Sequence, residues 1–515
     1  MSERGKPVAA TKSGKLEGVF EDGLYVFKGI PYAAPPIGPL RWMPPRPVKP
    51  WRGVRPAKAY GAIAPQNLMP IPMPGAPNFN EMRQDEDCLS LNIWTPGLDN
   101  ARRPVLFWIH GGAFIIGTGC ESFLENGVLS KRGDIVLVSI NYRLGAFGFM
   151  NLKEVTGGGI PATGNEGLLD QVMALDWVLE NIGAFGGDPI NITVSGFSAG
   201  GMSTGDLLGM PQAKGKFQKA INRSGSGNVV GTLESAVKIS EKYLGILGIR
   251  GSDAGALRAL TTKQLMDAQM ELQNKLRESE YRLTPFQPVL DGNVLPEWPL
   301  AAIKKGSAKN IPVIAGTSLD ELKMSTTMDP VTRNVDEAGM VSRLNDLLPA
   351  ELVPGLIIAY RAALKKRGIE PTPAEILGSV NTDYLFRIPT LRLVELQRDN
   401  GAPAYNYLFT LRSPAMGGIL GAMHGLDNPF LFGCLDPNFT GAGPEEQSLS
   451  RKMQDSTIAF MRTGDPSCES IGKWPVYGKE RLTMILDKKT RVEAAPYEDV
   501  RRAWGNFDPL HSRPL

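Results

Sequence analysis

Ser198 sits at the centre of Gly196-Phe197-Ser198-Ala199-Gly200, after the apolar run Ile190 to Ser195 and before a helical pattern. Small residues flanking a serine at a strand-to-helix turn allow a tight elbow, which presents the hydroxyl above the end of a sheet at a helix N-terminus. The pentapeptide alone carries little weight. At ordinary Gly and Ser usage a chain this long contains it by chance in roughly one sequence of five or six, and the bland reading is a Gly-rich turn closing a βα unit. A serine hydroxyl is a poor nucleophile until a neighbouring base takes its proton. The search is therefore for that base.

The chain has three histidines, His110, His424 and His511. His511 lies at the C-terminal end of the sequence, where segments are often weakly tied down. His110 falls in Trp108-Ile109-His110-Gly111-Gly112-Ala113-Phe114, directly after a strand pattern. Glycines there let backbone N–H groups approach and turn toward a developing oxyanion. That task needs peptide donors, so His110 reads as an orienting residue. His424, in Gly421-Ala422-Met423-His424-Gly425-Leu426-Asp427 after the strand Tyr405 to Leu411, is the base by elimination. The acid should lie between serine and histidine in chain order. Gly316-Thr317-Ser318-Leu319-Asp320-Glu321 supplies two adjacent candidates, and spacing leaves Asp320 and Glu321 both open. Such a carboxylate would hold the imidazole tautomer and stabilise its cation.

These residues need a frame to bring them together. Val105 to Ile109, Ile135 to Ile140, Ile190 to Val194 and Ile311 to Ala315 read as buried strands, rich in Val and Ile and bounded by Gly, Pro or Asp. Leu168, Val172, Leu175, Leu179 and Ile182 form one helical stripe that Gly183 should stop. Strand–helix alternation predicts an α/β fold with a mostly parallel central sheet covered by helices. The Pro-rich stretch before Leu91, including Met69 to Pro77, reads as strands and ordered loop wrapping the domain edge. Helical, amphipathic stretches at about 233–305 and 331–377 read as cap-like insertions over the sheet that shape an access path. No linker or repeat divides residues 1–515, which are expected to form one domain.

Composition narrows the function classes. The 515 residues are 42% hydrophobic and 21% charged, and 56 basic against 53 acidic residues leave a net charge of +3. No basic block suggests a nucleic-acid partner, and no apolar run is long enough to span a membrane. Met1 to Lys15 is polar, without the apolar region of a signal peptide. Cys88, Cys120, Cys434 and Cys468 show no C-x-x-C spacing, and so few histidines give a metal site little support. Four free thiols in a reducing, cytoplasmic compartment are the expectation.

Taken together, these segments resemble the type-B carboxylesterase and cholinesterase family, and within it the microbial para-nitrobenzyl esterase-like branch. The resemblance is carried by Glu86-Asp87-Cys88-Leu89-Ser90-Leu91-Asn92-Ile93-Trp94, by His110 to Phe114, by Asn141-Tyr142-Arg143-Leu144-Gly145, and by Gly164 to Pro189 with Leu168-Leu169-Asp170-Gln171. It is densest from about Gly29 to Ser226 and returns around Glu321 and His424. It implies an α/β-hydrolase fold, with Ser198 as nucleophile, Glu321 rather than Asp320 as acid, and His424 as base. It also implies oxyanion donors at Gly112, Ala113 and Ala199, and structural ion pairs of Glu86 with Arg143 and Asp87 with Arg41. Two departures stand out. Phe197 occupies the position before the serine that is usually Glu, which places an apolar face in the substrate pocket. Ala64 stands where secreted members carry the cysteine that pairs with Cys88.

The activity so implied is two-step hydrolysis of a small carboxylic ester, with water as second substrate and no metal or organic cofactor. Phe197 favours neutral esters of short to medium chain. The rivals are a lipase acting on long-chain glycerides, and a silent adhesion relative of the neuroligin type. Retention of Ser198, Glu321 and His424 weighs against the silent relative. Nothing in the sequence sets an oligomeric state.

Overall fold

Apolar strands with no polar alternation must be covered on both sides, and the chain folds accordingly. A computed structural model describes residues 6–67, 79–279, 285–505 and 507. Met69 to Pro77 and His511, singled out above, lie outside the described residues.

The main sheet has eleven strands: β1 (Val19–Glu21), β2 (Leu24–Pro31), β3 (Ser90–Thr95), β4 (Arg103–Ile109), β5 (Val136–Ile140), β6 (Gly187–Phe197), β7 (Lys219–Arg223), β8 (Val313–Ser318), β9 (Ala404–Phe409), β10 (Leu482–Leu486) and β11 (Arg491–Ala494). Their order is β11-β10-β9-β8-β7-β6-β4-β5-β3-β2-β1. The run from β5 through β10 is parallel, and antiparallel strands close both edges. A separate small sheet of Val8–Thr11, Gly14–Glu17 and Val54–Pro56 lies at the N-terminal edge.

Period-two alternation sends neighbouring residues of β4 to opposite faces. Val105, Phe107 and Ile109 join Leu168, Leu175 and Val178 in the largest core cluster. Leu106 and Trp108 face Phe432 and Met461 on the other side. Helix α1 (Glu166–Asn181) supplies the predicted stripe, but the chain then tightens into a 3-10 turn, Ile182–Phe185. Gly186, left-handed at φ 75°, ends it three residues beyond the expected stop. Strand β6 also differs in extent: it runs to Phe197, and Ile190 is 68% exposed, so its continuous buried run begins only at Ile192.

The first inserted stretch folds as helices Leu233–Leu247, Ala254–Ala259 and Thr262–Ser279, followed by Pro299–Lys304. Ile239, Tyr243, Leu265 and Leu272 bury into the main core cluster rather than merely roofing it. The second forms helices Glu337–Leu347, Val353–Lys366 and Pro373–Thr382, which share an apolar cluster of their own with Trp504.

The two inferred ion pairs are corrected. Arg41 grips Glu86 through both carboxylate oxygens, at 2.7 and 2.6 Å, rather than Asp87. Arg143 grips Asp170 of α1, at 2.8 and 2.7 Å, rather than Glu86. Glu86 lies in a bend of the chain before β3 and is turned inward to Arg41, whereas Asp170 reaches Arg143 from helix α1, so neither partner is set by sequence neighbourhood. Asp87 is left exposed, its carboxyl pKa raised by partial desolvation and by nearby Asp85. Ala64 and Cys88 are both buried in the main core, and all four cysteines are free thiols.

Candidate active site

Central strand β6 delivers Ser198 to its C-terminal end, and helix α2 (Ala199–Gly209) leaves from it at once. Ser198 holds φ 57° and ψ −124°, a strained conformation for a residue with a side chain. The flanking glycines explain why the turn can close. A Cβ on Gly196 would overlap the Gly200 carbonyl, and one on Gly200 would overlap that of Ile109. The Ser198 N–H donates to the Arg223 carbonyl of β7 at 2.9 Å, which pins the elbow to the neighbouring strand.

Beyond β4 the chain takes three consecutive left-handed residues, Gly112 at φ 114°, Ala113 at 52° and Phe114 at 62°. The carbonyl of Gly112 accepts from the N–H groups of Ile115 and Ile116, at 3.0 and 2.9 Å, and fixes the loop. His110 is buried beneath it. Its Nδ1 lies 2.7 Å from the Gly111 carbonyl, and its ring stacks on Tyr142 with centroids 4.4 Å apart. The Tyr142 hydroxyl donates to the His110 carbonyl at 3.1 Å. Burial pushes the His110 pKa down to about 4, which keeps the ring neutral as an orienting group.

Strand β8 extends to Ser318, so the acidic pair follows one tight turn later. The structure separates its two members. Glu321 is 1% exposed, and its Oε2 lies 2.5 Å from His424 Nδ1. Its Oε1 accepts from the Ser224 hydroxyl at 2.6 Å and from the Ser318 N–H at 2.7 Å. Asp320 instead pairs with Arg367 at 2.5 Å and accepts from the Ala422 N–H at 3.0 Å. It secures the loop that carries the histidine.

His424 is flanked by rings. Phe197 lies at 4.5 Å between centroids and Phe386 at 4.9 Å. Phe197 thus packs on the imidazole itself, and its other side joins the Trp108 and Phe432 cluster. Sequence reasoning missed Ser224 and Phe386. Ser224 follows the buried strand β7 and was within reach of its spacing. Phe386 belongs to a π-turn, Asp383–Arg387, distant in sequence from every motif.

An elbow serine and a carboxylate–imidazole pair, raised on a mostly parallel sheet covered by helices, define an α/β-hydrolase. The comparisons with known proteins narrow the class. Residues 5–504 match the carboxylesterase family, to which this chain belongs. It is 38% identical over 503 residues to the para-nitrobenzyl esterase of Bacillus subtilis, covering 96% of this chain and 98% of that protein. It is 36% identical to the phenmedipham hydrolase of Pseudarthrobacter oxydans, over 95% and 97% of the two chains. A Geobacillus stearothermophilus carboxylesterase structure superposes with a TM-score of 0.85 at 36% identity, covering 96% of this chain and 99% of that one. The protein is a carboxylic ester hydrolase.

Proposed function

We propose that residues 1–515 form one catalytic unit in which Ser198 is the nucleophile, His424 the general base and Glu321 the orienting acid. Backbone N–H groups of Gly112, Ala113 and Ala199 receive the oxyanion. The observation that carries this reading is the 2.5 Å contact of His424 Nδ1 with a buried Glu321 carboxylate. That contact directs Nε2 outward to take the serine proton.

In the first step Ser198 Oγ attacks the ester carbonyl while His424 takes its proton. The developing negative charge falls on the three N–H groups, each worth about 3–4 kcal/mol in the transition state. His424 then protonates the leaving alcohol, an acyl-Ser198 remains, and water repeats the sequence to release the acid. Glu321 faces a cation only while His424 is protonated, so its stabilisation is strongest in the transition states.

Neutral esters of short to medium chain are the proposed substrates, because Phe197 and Phe386 put apolar rings beside the base where a carboxylate would favour cationic alcohols. No helix among the described residues is long and apolar enough to cross a membrane. Four unpaired cysteines support a reducing, cytoplasmic setting. The test is labelling by a p-nitrophenyl phosphonate, followed by peptide mapping. One adduct on Ser198 with complete loss of activity is expected, and an adduct elsewhere refutes the assignment. A panel of p-nitrophenyl esters from acetate to palmitate, with phenmedipham added, sets the acyl range. Maximal rates on emulsified palmitate would favour the lipase reading.

A further inference from the structure

His424 stands on a short loop, and its hydrogen bond to Glu321 fixes only one ring nitrogen. A base that must accept a proton from Ser198 needs its whole loop registered against the elbow, because misplacement by about 1 Å costs on the order of 100-fold in rate. The structure contains a buried device that spans this gap.

Asp427 lies three residues after His424, within a tight turn held by Leu426 N–H to the Met423 carbonyl and Asn428 N–H to that of Gly425, both at 3.2 Å. Its Oδ2 accepts from Arg223 Nη1 at 3.2 Å and from the Tyr407 hydroxyl at 3.1 Å. The Arg223 and Asp427 side chains are 5% and 1% exposed. Arg223 is the last residue of β7, and its own carbonyl is the acceptor of the Ser198 N–H. One residue therefore touches the nucleophile's backbone with its main chain and the histidine's loop with its side chain. Tyr407 reaches from β9 across β8, where a Cβ on Gly316 would overlap its ring. Its ring centroid lies 5.8 Å from the Arg223 guanidinium carbon.

We infer that Arg223, Asp427 and Tyr407 are positioning residues, a buried clamp that registers the His424 loop against the Ser198 elbow. The inference builds on the assignment of His424 as base. Asp427 Oδ1 and Arg223 Nε have no hydrogen-bond partner among the described residues, so both contacts of the clamp converge on the single oxygen Oδ2. A network with so few members is sensitive to each of them. Fold stability alone would be served as well by an apolar cluster of the same volume. A registering role accounts for charge placed between the strand behind the nucleophile and the turn behind the base.

The experiment measures kcat and KM for p-nitrophenyl butyrate, per active site titrated to completion with a phosphonate ester, so unfolded protein does not count. Asp427→Asn and Arg223→Gln should each lower kcat by about 10–100-fold with KM changed less than about threefold. Arg223→Lys, which keeps the charge, should recover part of that loss. The double variant Arg223→Gln/Asp427→Asn should be no slower than the slower single one, because both break one contact. Values of kcat within twofold of the wild type for all variants overturn the clamp, even if thermal stability falls. So does strict multiplication of the two single losses. Should Asp427→Asn not fold, Tyr407→Phe keeps the ion pair and decides the matter: a fall in kcat of about threefold or more supports the clamp, and an unchanged kcat overturns it. His424→Ala separates the two levels: a fully active variant there refutes the base on which the clamp rests, whereas an inactive one beside unchanged Arg223 and Asp427 variants refutes the clamp alone.

Discussion

Replacing Glu321 with Gln should cost far more than loss of one charge. Glu321 Oε1 accepts from both the Ser224 hydroxyl and the Ser318 N–H, at 2.6 and 2.7 Å. Those donors require an oxygen, so the amide nitrogen of the substituted side chain must take the Oε2 position, 2.5 Å from His424 Nδ1. Nδ1 would then have to accept, the proton would sit on Nε2, and the base could no longer take a proton from Ser198. Charge loss alone, at an effective dielectric near 20 and about 4 Å between charge centres, removes about 4 kcal/mol of imidazolium stabilisation, or roughly 10³-fold. The wrong tautomer extends the loss toward about 10⁴-fold. Asp320→Asn, which loosens the Arg367 contact without touching the imidazole, should lower kcat less than about fivefold. Stopped-flow kcat on p-nitrophenyl butyrate, normalised to titrated sites, checks both. A Glu321→Gln rate within tenfold of the wild type, or a larger loss for Asp320→Asn, refutes the reasoning.

Asp206 in helix α2 is buried with neither carboxylate oxygen hydrogen-bonded among the described residues, and burial raises its pKa well above the ordinary 3.8. The folded protein therefore keeps a proton that the unfolded chain releases, and stability should fall by about 1.4 kcal/mol per pH unit from roughly pH 4 up to the folded pKa. Asp206→Asn should remove that slope, so its advantage over the wild type in urea melts should grow between pH 5 and 7; a pH-independent difference contradicts this. Thiol titration in denaturant without reductant should find four groups, since Cys88, Cys120, Cys434 and Cys468 are all free, and two or fewer would mean disulfides. Phe197 should favour p-nitrophenyl butyrate over butyrylthiocholine after correction for leaving group, and Phe197→Glu should narrow the gap while lowering kcat for both, because the ring also packs on His424. Equal corrected efficiencies in the wild type would remove Phe197 as the discriminating feature.

Local information carried a large part of this protein. Glycine at 196 and 200 declares the elbow because only a bare Cα tolerates backbone at such close approach. The strands at Val105–Ile109 and Ile135–Ile140 were legible because short, almost wholly apolar runs bounded by Val or Ile have few other places to go. The base followed from a census of three histidines, two of which had other readings. What only the tertiary structure decided concerns which side chains meet. Spacing left Asp320 and Glu321 equal, and the turn after β8 sends one to Arg367 and the other to His424. Arg41 took Glu86 and Arg143 took Asp170, because a charge carries no address of its own and the fold decides which carboxylate comes within reach. Ser224 meets Glu321 from 97 residues away, and Arg223 meets Asp427 from 204 residues away, while Phe386 reaches His424 from a different element altogether. Periodicity tells each segment what to bury, but the crossing of strands β6 to β9 determines what it is buried against.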